Sequence, residues 1–186
     1  QKLSWFYPIY EILTGILFGL CYHAFGLSLE LLFALTFVSI LMILIISDYY
    51  YMILPDSVMI TGIILLGIEI FIIHGGESFL RAIGSGIGTF LIMYLIKLFG
   101  DFLFKKESMG GGDIKLLFLF GMVLGIPMSV ISIFLASFLA LPIALIILYK
   151  EKTNIIPFGP FLSISAMLLF LSRIDIDLVI KILSRQ

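Results

Sequence analysis

The stretch Met109-Gly110-Gly111-Gly112-Asp113-Ile114-Lys115-Leu116 places an acid directly behind three glycines and at the start of an apolar run. A carboxylate is among the most costly groups to place near lipid, so an acid in this position is a functional candidate by default. A second acid, Asp48, closes another apolar run. Two such acids on one side of a bilayer suggest carboxylate-pair chemistry on a membrane-embedded substrate.

The composition indicates an integral membrane protein. Of the 186 residues, 62% are hydrophobic and 12% are charged, whereas a soluble domain carries about 25% charged residues. The net charge of -1 gives no basis for nucleic-acid binding. The single cysteine, Cys21, lies in an apolar run and cannot form a disulfide framework or a thiolate metal site. We therefore expect no nucleic-acid partner and no thiolate metal site.

The apolar runs predict an all-α membrane fold with about seven transmembrane helices, some of them short or broken at glycine-rich loops. Nothing marks a boundary between soluble domains, so residues 1–186 are expected to form a single membrane domain. Gly84 and Gly88 have the spacing that allows close helix approach in lipid. The predicted segments cover residues 8–25, 28–48, 57–74, 79–99, 113–126, 127–149 and 158–172.

Basic residues in the loops give the orientation, because cytoplasmic loops are enriched in lysine and arginine. With Gln1 on the cytoplasmic side, Asp48, Asp56 and Asp113 all lie at the cytoplasmic edge. Seven basic residues share that side and four lie on the other. The seven are Lys2, Lys97, Lys105, Lys106, Lys115, Lys150 and Lys152, and the four are Arg81, Arg173, Lys181 and Arg185.

Two carboxylates within reach of one water can divide the work of peptide hydrolysis. Because like charges at close range do not both ionise easily, such a pair shares one proton. The ionised partner takes a proton from water, which attacks the scissile carbonyl, and the protonated partner supports the oxyanion and the leaving amine. The residues leave open which acid is the base. The glycines beside Asp113 let its backbone come close to a substrate strand.

Four blocks of sequence extend this pattern along the chain. Residues 7–15 read YPIYEILTG, Asp48 is followed seven residues later by Pro55-Asp56, residues 109–116 read MGGGDIKL, and residues 156–161 read IPFGPF. In this order they resemble the Y-P-x-x-E-x-x-T-G, Asp-to-Pro-Asp, G-x-G-D and I-P-F-G-P motifs of type IV prepilin peptidases, which are aspartic proteases of the inner membrane.

The resemblance implies that Asp48 and Asp113 are the catalytic pair of a membrane aspartic endopeptidase. The expected substrate is a prepilin or pseudopilin precursor, whose short basic leader is removed at the cytoplasmic face of the inner membrane. The apolar helix of the precursor would lie in the lipid beside the enzyme. No cofactor is implied.

Five further residues are expected to support the site. Asp56 is expected to cap the third helix after Pro55. Lys115 is expected to position the acidic part of a leader peptide, with a snorkelling interfacial lysine as the alternative. Glu11 belongs to a matched block and is expected to support the site or the fold. The supporting set is Gly110, Gly112, Lys115, Asp56 and Glu11.

One feature of the family is missing from this sequence. Bacterial members usually carry, before the Y-P-x-x-E block, a segment with paired Cys-x-x-Cys motifs that is associated with N-methylation. This sequence begins at Gln1 and contains no Cys-x-x-Cys motif. It therefore gives no support for N-methyltransferase activity, while the protease motifs are intact.

Three other interpretations stay open at this point. A proton-coupled transporter or channel also uses intramembrane acids and glycine hinges, although it often shows two related halves that are not visible here. A non-catalytic assembly scaffold would show no cleavage. The G-x-G-D motif also resembles that of presenilin-like intramembrane proteases, whose first motif is Tyr-Asp, and the signature from Asp48 to Pro55-Asp56 favours the prepilin peptidases.

Overall fold

The structure is a computed structural model that describes residues 6–105, 109–151 and 157–173. This part of the chain is helical and contains no strand, which confirms the all-α prediction. Four of its helices are long and apolar enough to cross a membrane, so the protein is a multi-pass membrane protein. The helices are α1 (Phe6–Phe25), α2 (Leu29–Tyr51), α3 (Asp56–Phe104), α4 (Gly111–Glu151) and α5 (Gly159–Leu171).

The two longest helices are each interrupted at one glycine. Gly75 in α3 has φ 82° and Gly125 in α4 has φ 77°. Residues other than glycine rarely adopt this backbone conformation. The chain reverses direction at Gly75, as the distance of 6.1 Å between the rings of Phe71 and Phe79 shows. Residues eight apart in a continuous helix would be separated by about 12 Å along its axis.

These single-glycine breaks change the predicted boundaries. The predicted segments 57–74 and 79–99 both lie within α3, and the segments 113–126 and 127–149 both lie within α4, because one residue rather than a loop separates the halves. The expected number of seven transmembrane helices is not confirmed. α2 continues to Tyr51, so Asp48 lies inside its last turn rather than at its end. α4 begins at Gly111, which places Asp113 in the first turn of the helix.

α5 packs against α2 in an antiparallel arrangement. The ring of Phe37 in α2 lies 5.1 Å from that of Phe170 in α5 and 6.4 Å from that of Phe120 in α4. Eleven residues after Phe37, Asp48 meets Gly159, which lies eleven residues before Phe170. The aromatic contacts in the core therefore fix the register that brings the start of α5 to Asp48.

α3 and α4 approach each other closely at small residues. A Cβ added to Gly121 would lie 2.8 Å from the Cα of Gly86, and one added to Gly88 would lie 2.7 Å from the Cδ1 of Ile126. The prediction of a close approach is correct for Gly88 and wrong for Gly84, which has nothing within 4 Å of an added Cβ. This tight crossing positions the helix that carries Asp113.

Candidate active site

Asp48 lies where α2 ends and the chain turns toward α3. Met52 adopts a left-handed φ of 53° and donates its backbone N–H to the carbonyl of Asp48 at 2.9 Å. The hydroxyl of Ser47 donates to the carbonyl of Ile53 at 2.9 Å. These bonds fix the backbone around Asp48, which is buried with an exposed fraction of 7%.

The start of α5 holds the Asp48 carboxyl directly. The backbone N–H of Gly159 donates to Oδ2 of Asp48 at 3.0 Å, and a Cβ at position 159 would lie 2.6 Å from that oxygen. Only glycine therefore allows this contact. No role for Gly159 was predicted from the sequence, although its place in the IPFGPF block marks it as a candidate.

Glycines surround Asp113 at the start of α4. A Cβ added to Gly110 would lie 3.3 Å from Oδ2 of Asp113, and one added to Gly112 would lie 3.1 Å from the Cβ of Leu54. Leu54 also lies 3.3 Å from the position of a Cβ at Gly159. Leu54 thus packs between the segment that carries Asp113 and the start of α5 that binds Asp48, a contact that was not predicted from the sequence.

Asp48 and Asp113 line one cavity of about 950 Å³. Apolar side chains such as Met93 and Ile133 form part of the wall. This arrangement can hold a water and a peptide group between two carboxyls. Within the described residues, no group of three or more His, Cys, Asp and Glu side chains is placed to hold a metal ion.

Asp56 and Lys115 form an ion pair at the edge of this cavity. The Lys115 ammonium donates to both oxygens of Asp56, at 2.8 Å and 2.9 Å. The expectation that Asp56 caps α3 is wrong, because Pro55 occupies the cap position without a side-chain bond and Asp56 is the first helical residue. The pair joins the start of α3 to the first turn of α4 beside Asp113.

Glu11 lies apart from the other predicted site residues. It is exposed on α1 and lines a groove between α1 and α2 rather than the cavity that contains the two acids. The structure therefore brings together Asp48, Asp113, Gly110, Gly112, Asp56 and Lys115, and leaves Glu11 outside.

The chain is similar to a known protein family, both by the profile of that family and by individual relatives. The profile of the type IV leader peptidase family matches residues 35–145. A prepilin leader peptidase/N-methyltransferase of Neisseria gonorrhoeae is 35% identical over 91% of this chain and 58% of its own length. The protein of the same name from Bacillus subtilis is 30% identical over 92% of this chain and 68% of its own length. That of Legionella pneumophila is 34% identical over 87% and 57%, respectively.

The match covers most of this chain but only part of its relatives. The chain spans between 57% and 68% of the length of these three curated relatives. No solved structure matches the chain significantly. Both acids and the glycine triplet lie within the residues that the family profile matches, whereas Glu11 and Gly159 lie outside them.

Proposed function

The chain belongs to the type IV leader peptidase family, and we propose that it is an aspartic endopeptidase in which Asp48 and Asp113 cleave one peptide bond of a precursor protein. The observation that carries this proposal is the meeting of the two acids, 65 positions apart in sequence, in one cavity. The family match also favours the peptidase over the transporter or channel that the sequence left open.

The proposed reaction needs the two carboxyls in different protonation states. The ionised carboxyl accepts a proton from water as the water attacks the scissile carbonyl. The protonated carboxyl hydrogen-bonds to the developing oxyanion and then supplies a proton to the leaving amine. The pair recovers its shared proton at the end of the cycle, so the two acids act as one titrating unit.

The proposed substrate is a prepilin or pseudopilin precursor with a short basic leader and an apolar helix. The relatives are named for leader peptidase activity on prepilins, and this supports the same substrate class here. The apolar helix would lie in the lipid beside the enzyme with the leader at the membrane surface. Membrane lipid would thereby orient the scissile bond at the cavity without a deep soluble cleft.

Basic residues support a cytoplasmic position for the cavity in the inner membrane. Lys97 and Lys115 line the cavity, and Lys105 ends α3 at the same side. At the opposite side, Arg81 follows the reversal in α3 and Arg173 pairs with the start of α2. Other basic residues used for the predicted orientation lie outside the described residues, namely Lys2, Lys106, Lys152, Lys181 and Arg185.

The test is cleavage of a precursor pilin in membranes by Asp48→Asn and Asp113→Asn. Each change keeps the side-chain size but removes the group that moves a proton, so we expect the cleavage rate to fall by about 10²–10⁴-fold. Glu77→Gln is the matched control, because Glu77 is exposed and pairs with Arg81 far from the cavity. Cleavage at the wild-type rate by either aspartate variant would remove that residue from the mechanism.

Mass spectrometry of the same reaction reports methyl transfer separately. The relatives carry both activities in their name, whereas the sequence gives no support for the second one in this chain. We therefore expect the cleavage step to be measured with the methyl donor present, and the mass of the cleaved product to report methylation. A methylated product would show that this chain also transfers a methyl group, and either outcome leaves the protease mechanism intact.

A further inference from the structure

A second cavity, of about 890 Å³, lies between α1 and α2 and is separate from the candidate active site. The proposed mechanism does not use it. It is nevertheless lined by the sequence block that resembles Y-P-x-x-E-x-x-T-G, which the function has so far left without a role. The lining residues on which the argument rests are Phe6, Tyr10, Glu11, Thr14, Gly15 and Tyr50.

The block forms one face of α1. Glu11, Thr14 and Gly15 are three and four residues apart, so they lie on the same side of the helix. This face does not pack against a neighbour, because a Cβ added to Gly15 would meet nothing within 4 Å. Thr14 donates its hydroxyl to the Tyr10 carbonyl at 2.7 Å, which leaves the hydroxyl oxygen able to accept another bond. Helix packing therefore accounts for Tyr10, whose ring contacts that of Tyr50, but does not explain the glycine at position 15.

The groove combines a carboxylate with aromatic rings. Glu11 is exposed and makes no hydrogen bond or ion pair with the part of the chain that the structure describes. Tyr50 lies 6.3 Å from the rings of both Phe6 and Tyr10 in edge-to-face contact. A carboxylate beside aromatic faces is the environment that attracts an ammonium or guanidinium group. An acid within an apolar helix also calls for a cationic partner.

We propose that this α1–α2 groove binds a lysine or arginine side chain of the precursor's leader. The inference rests on the proposed function and adds a binding site to it. Charge complementarity selects the leader, since the leader is the basic part of the precursor and the segment that follows it is apolar. The groove also lies at the same end of α2 as the acids, because Tyr50 follows Asp48 by two residues.

The geometry also limits where in the leader the bound side chain lies. Residues two apart on a helix point to nearly opposite sides, so Asp48 and Tyr50 face the cavity and the groove across α2. A helix with its side chains is about 10–12 Å across, and an extended strand covers about 3.3–3.6 Å per residue. The bound basic residue is therefore about three or four positions before the scissile bond.

The experiment is steady-state cleavage by the full chain in vesicles of phosphatidylglycerol and cardiolipin, which carry no ammonium group. The substrates are precursors in which each basic leader residue is replaced singly by glutamine. We expect Glu11→Gln to raise KM about three- to tenfold for the basic leader with little change in kcat, as expected for an exposed cation contact. The same variant should have no effect on the precursor that already lacks the basic residue at the bound position.

Two further variants separate charge from ring contact. Tyr50→Leu removes the aromatic face and is expected to raise KM as Glu11→Gln does, whereas Tyr50→Phe keeps the ring and is expected to behave as wild type. Glu77→Gln removes an equivalent exposed acid at the other end of the protein and is expected to leave both KM values unchanged.

The outcomes distinguish this inference from the proposed function. If Glu11→Gln lowers cleavage equally for every leader, or lowers kcat, Glu11 has a structural role and the inference is wrong. If the change in KM caused by Glu11→Gln depends on added phosphatidylethanolamine and not on the charge of the leader, a lipid ammonium group occupies the groove and the inference is also wrong. Wild-type protein that cleaves no precursor contradicts the proposed function itself.

Discussion

Asp48 and Asp113 line the same cavity but are held there in different ways. Asp48 is buried near the end of a packed helix and accepts a backbone hydrogen bond from Gly159, 111 positions away. Asp113 lies in the first turn of α4, with Gly110 beside its carboxyl. Among the described residues, no hydrogen-bond donor contacts the Asp113 side chain. One acid is held by a contact from a distant helix, and the other is given space by its own loop.

This difference shows which parts of the fold each acid depends on. The position of Asp48 depends on the register between α2 and α5, which the contact of Phe37 with Phe170 helps to fix. The position of Asp113 depends on local sequence, since the glycines that make room for it are its immediate neighbours. A substitution at the start of α5 is therefore expected to disturb Asp48 first, and one at Gly110 or Gly112 to disturb Asp113.

Among substitutions that leave both acids in place, the largest effect is expected for Gly159→Ala. The added methyl would lie 2.6 Å from Oδ2 of Asp48, so the carboxyl must move or the start of α5 must shift. A displacement of about 1 Å at a reacting group can lower a rate about 10²-fold, and we expect a loss of that size in precursor cleavage. Circular dichroism should show unchanged helix content.

Gly111→Ala is the matched control for this substitution. An added Cβ at Gly111 has nothing within 4 Å, so the same chemical change at the edge of the cavity should leave cleavage nearly unaffected. If Gly159→Ala cleaves as fast as Gly111→Ala, then the contact with Asp48 does not position the carboxyl for the reaction.

A smaller loss is expected for Gly110→Ala. Its Cβ would lie 3.3 Å from Oδ2 of Asp113, a contact that a small rotation of the carboxyl can relieve. We expect a loss of about tenfold or less, because the displacement needed is a fraction of that at Gly159. Parallel rate measurements on the two alanine variants test the comparison directly. A larger loss at Gly110 than at Gly159 would show that Asp113 is the more constrained acid.

The sequence was sufficient to predict the helical membrane fold and the meeting of Asp48 and Asp113 in one cavity, whereas Glu11, which was expected to support the site or the fold, lies outside that cavity. Each acid ends or begins an apolar run, and an acid in that position stands out because of its cost in lipid. The backbone donor to Asp48 was not predicted, because it depends on the register of two helices 111 positions apart. Periodicity along one helix carries no information about the register between two helices.

The role of Asp56 was mispredicted for a related reason. An acid after a proline at a helix start has the local pattern of a cap, and the local pattern was the only information available. In the structure, Lys115 lies within bonding distance, 59 positions along the chain, and its ammonium binds both carboxylate oxygens. A charged partner from another helix thus replaces the backbone N–H groups that a capping side chain would bind.

The smallest effect is expected at the ion pair between Asp56 and Lys115, which joins α3 to α4. Asp48 and its hydrogen-bond donor lie on other helices, α2 and α5. The side chains of Lys115 and Asp56 are 52% and 60% exposed, so water and salt screen their attraction. Asp56→Asn, Lys115→Gln and the double variant should give a coupling of about 0.2–1 kcal/mol in the free energy of unfolding, decreasing with added salt. The two single variants should each retain most of the cleavage activity. A coupling well above this range, insensitive to salt, would show that the pair helps to fix the start of α4, and Asp113 would then be held by a distant contact as Asp48 is.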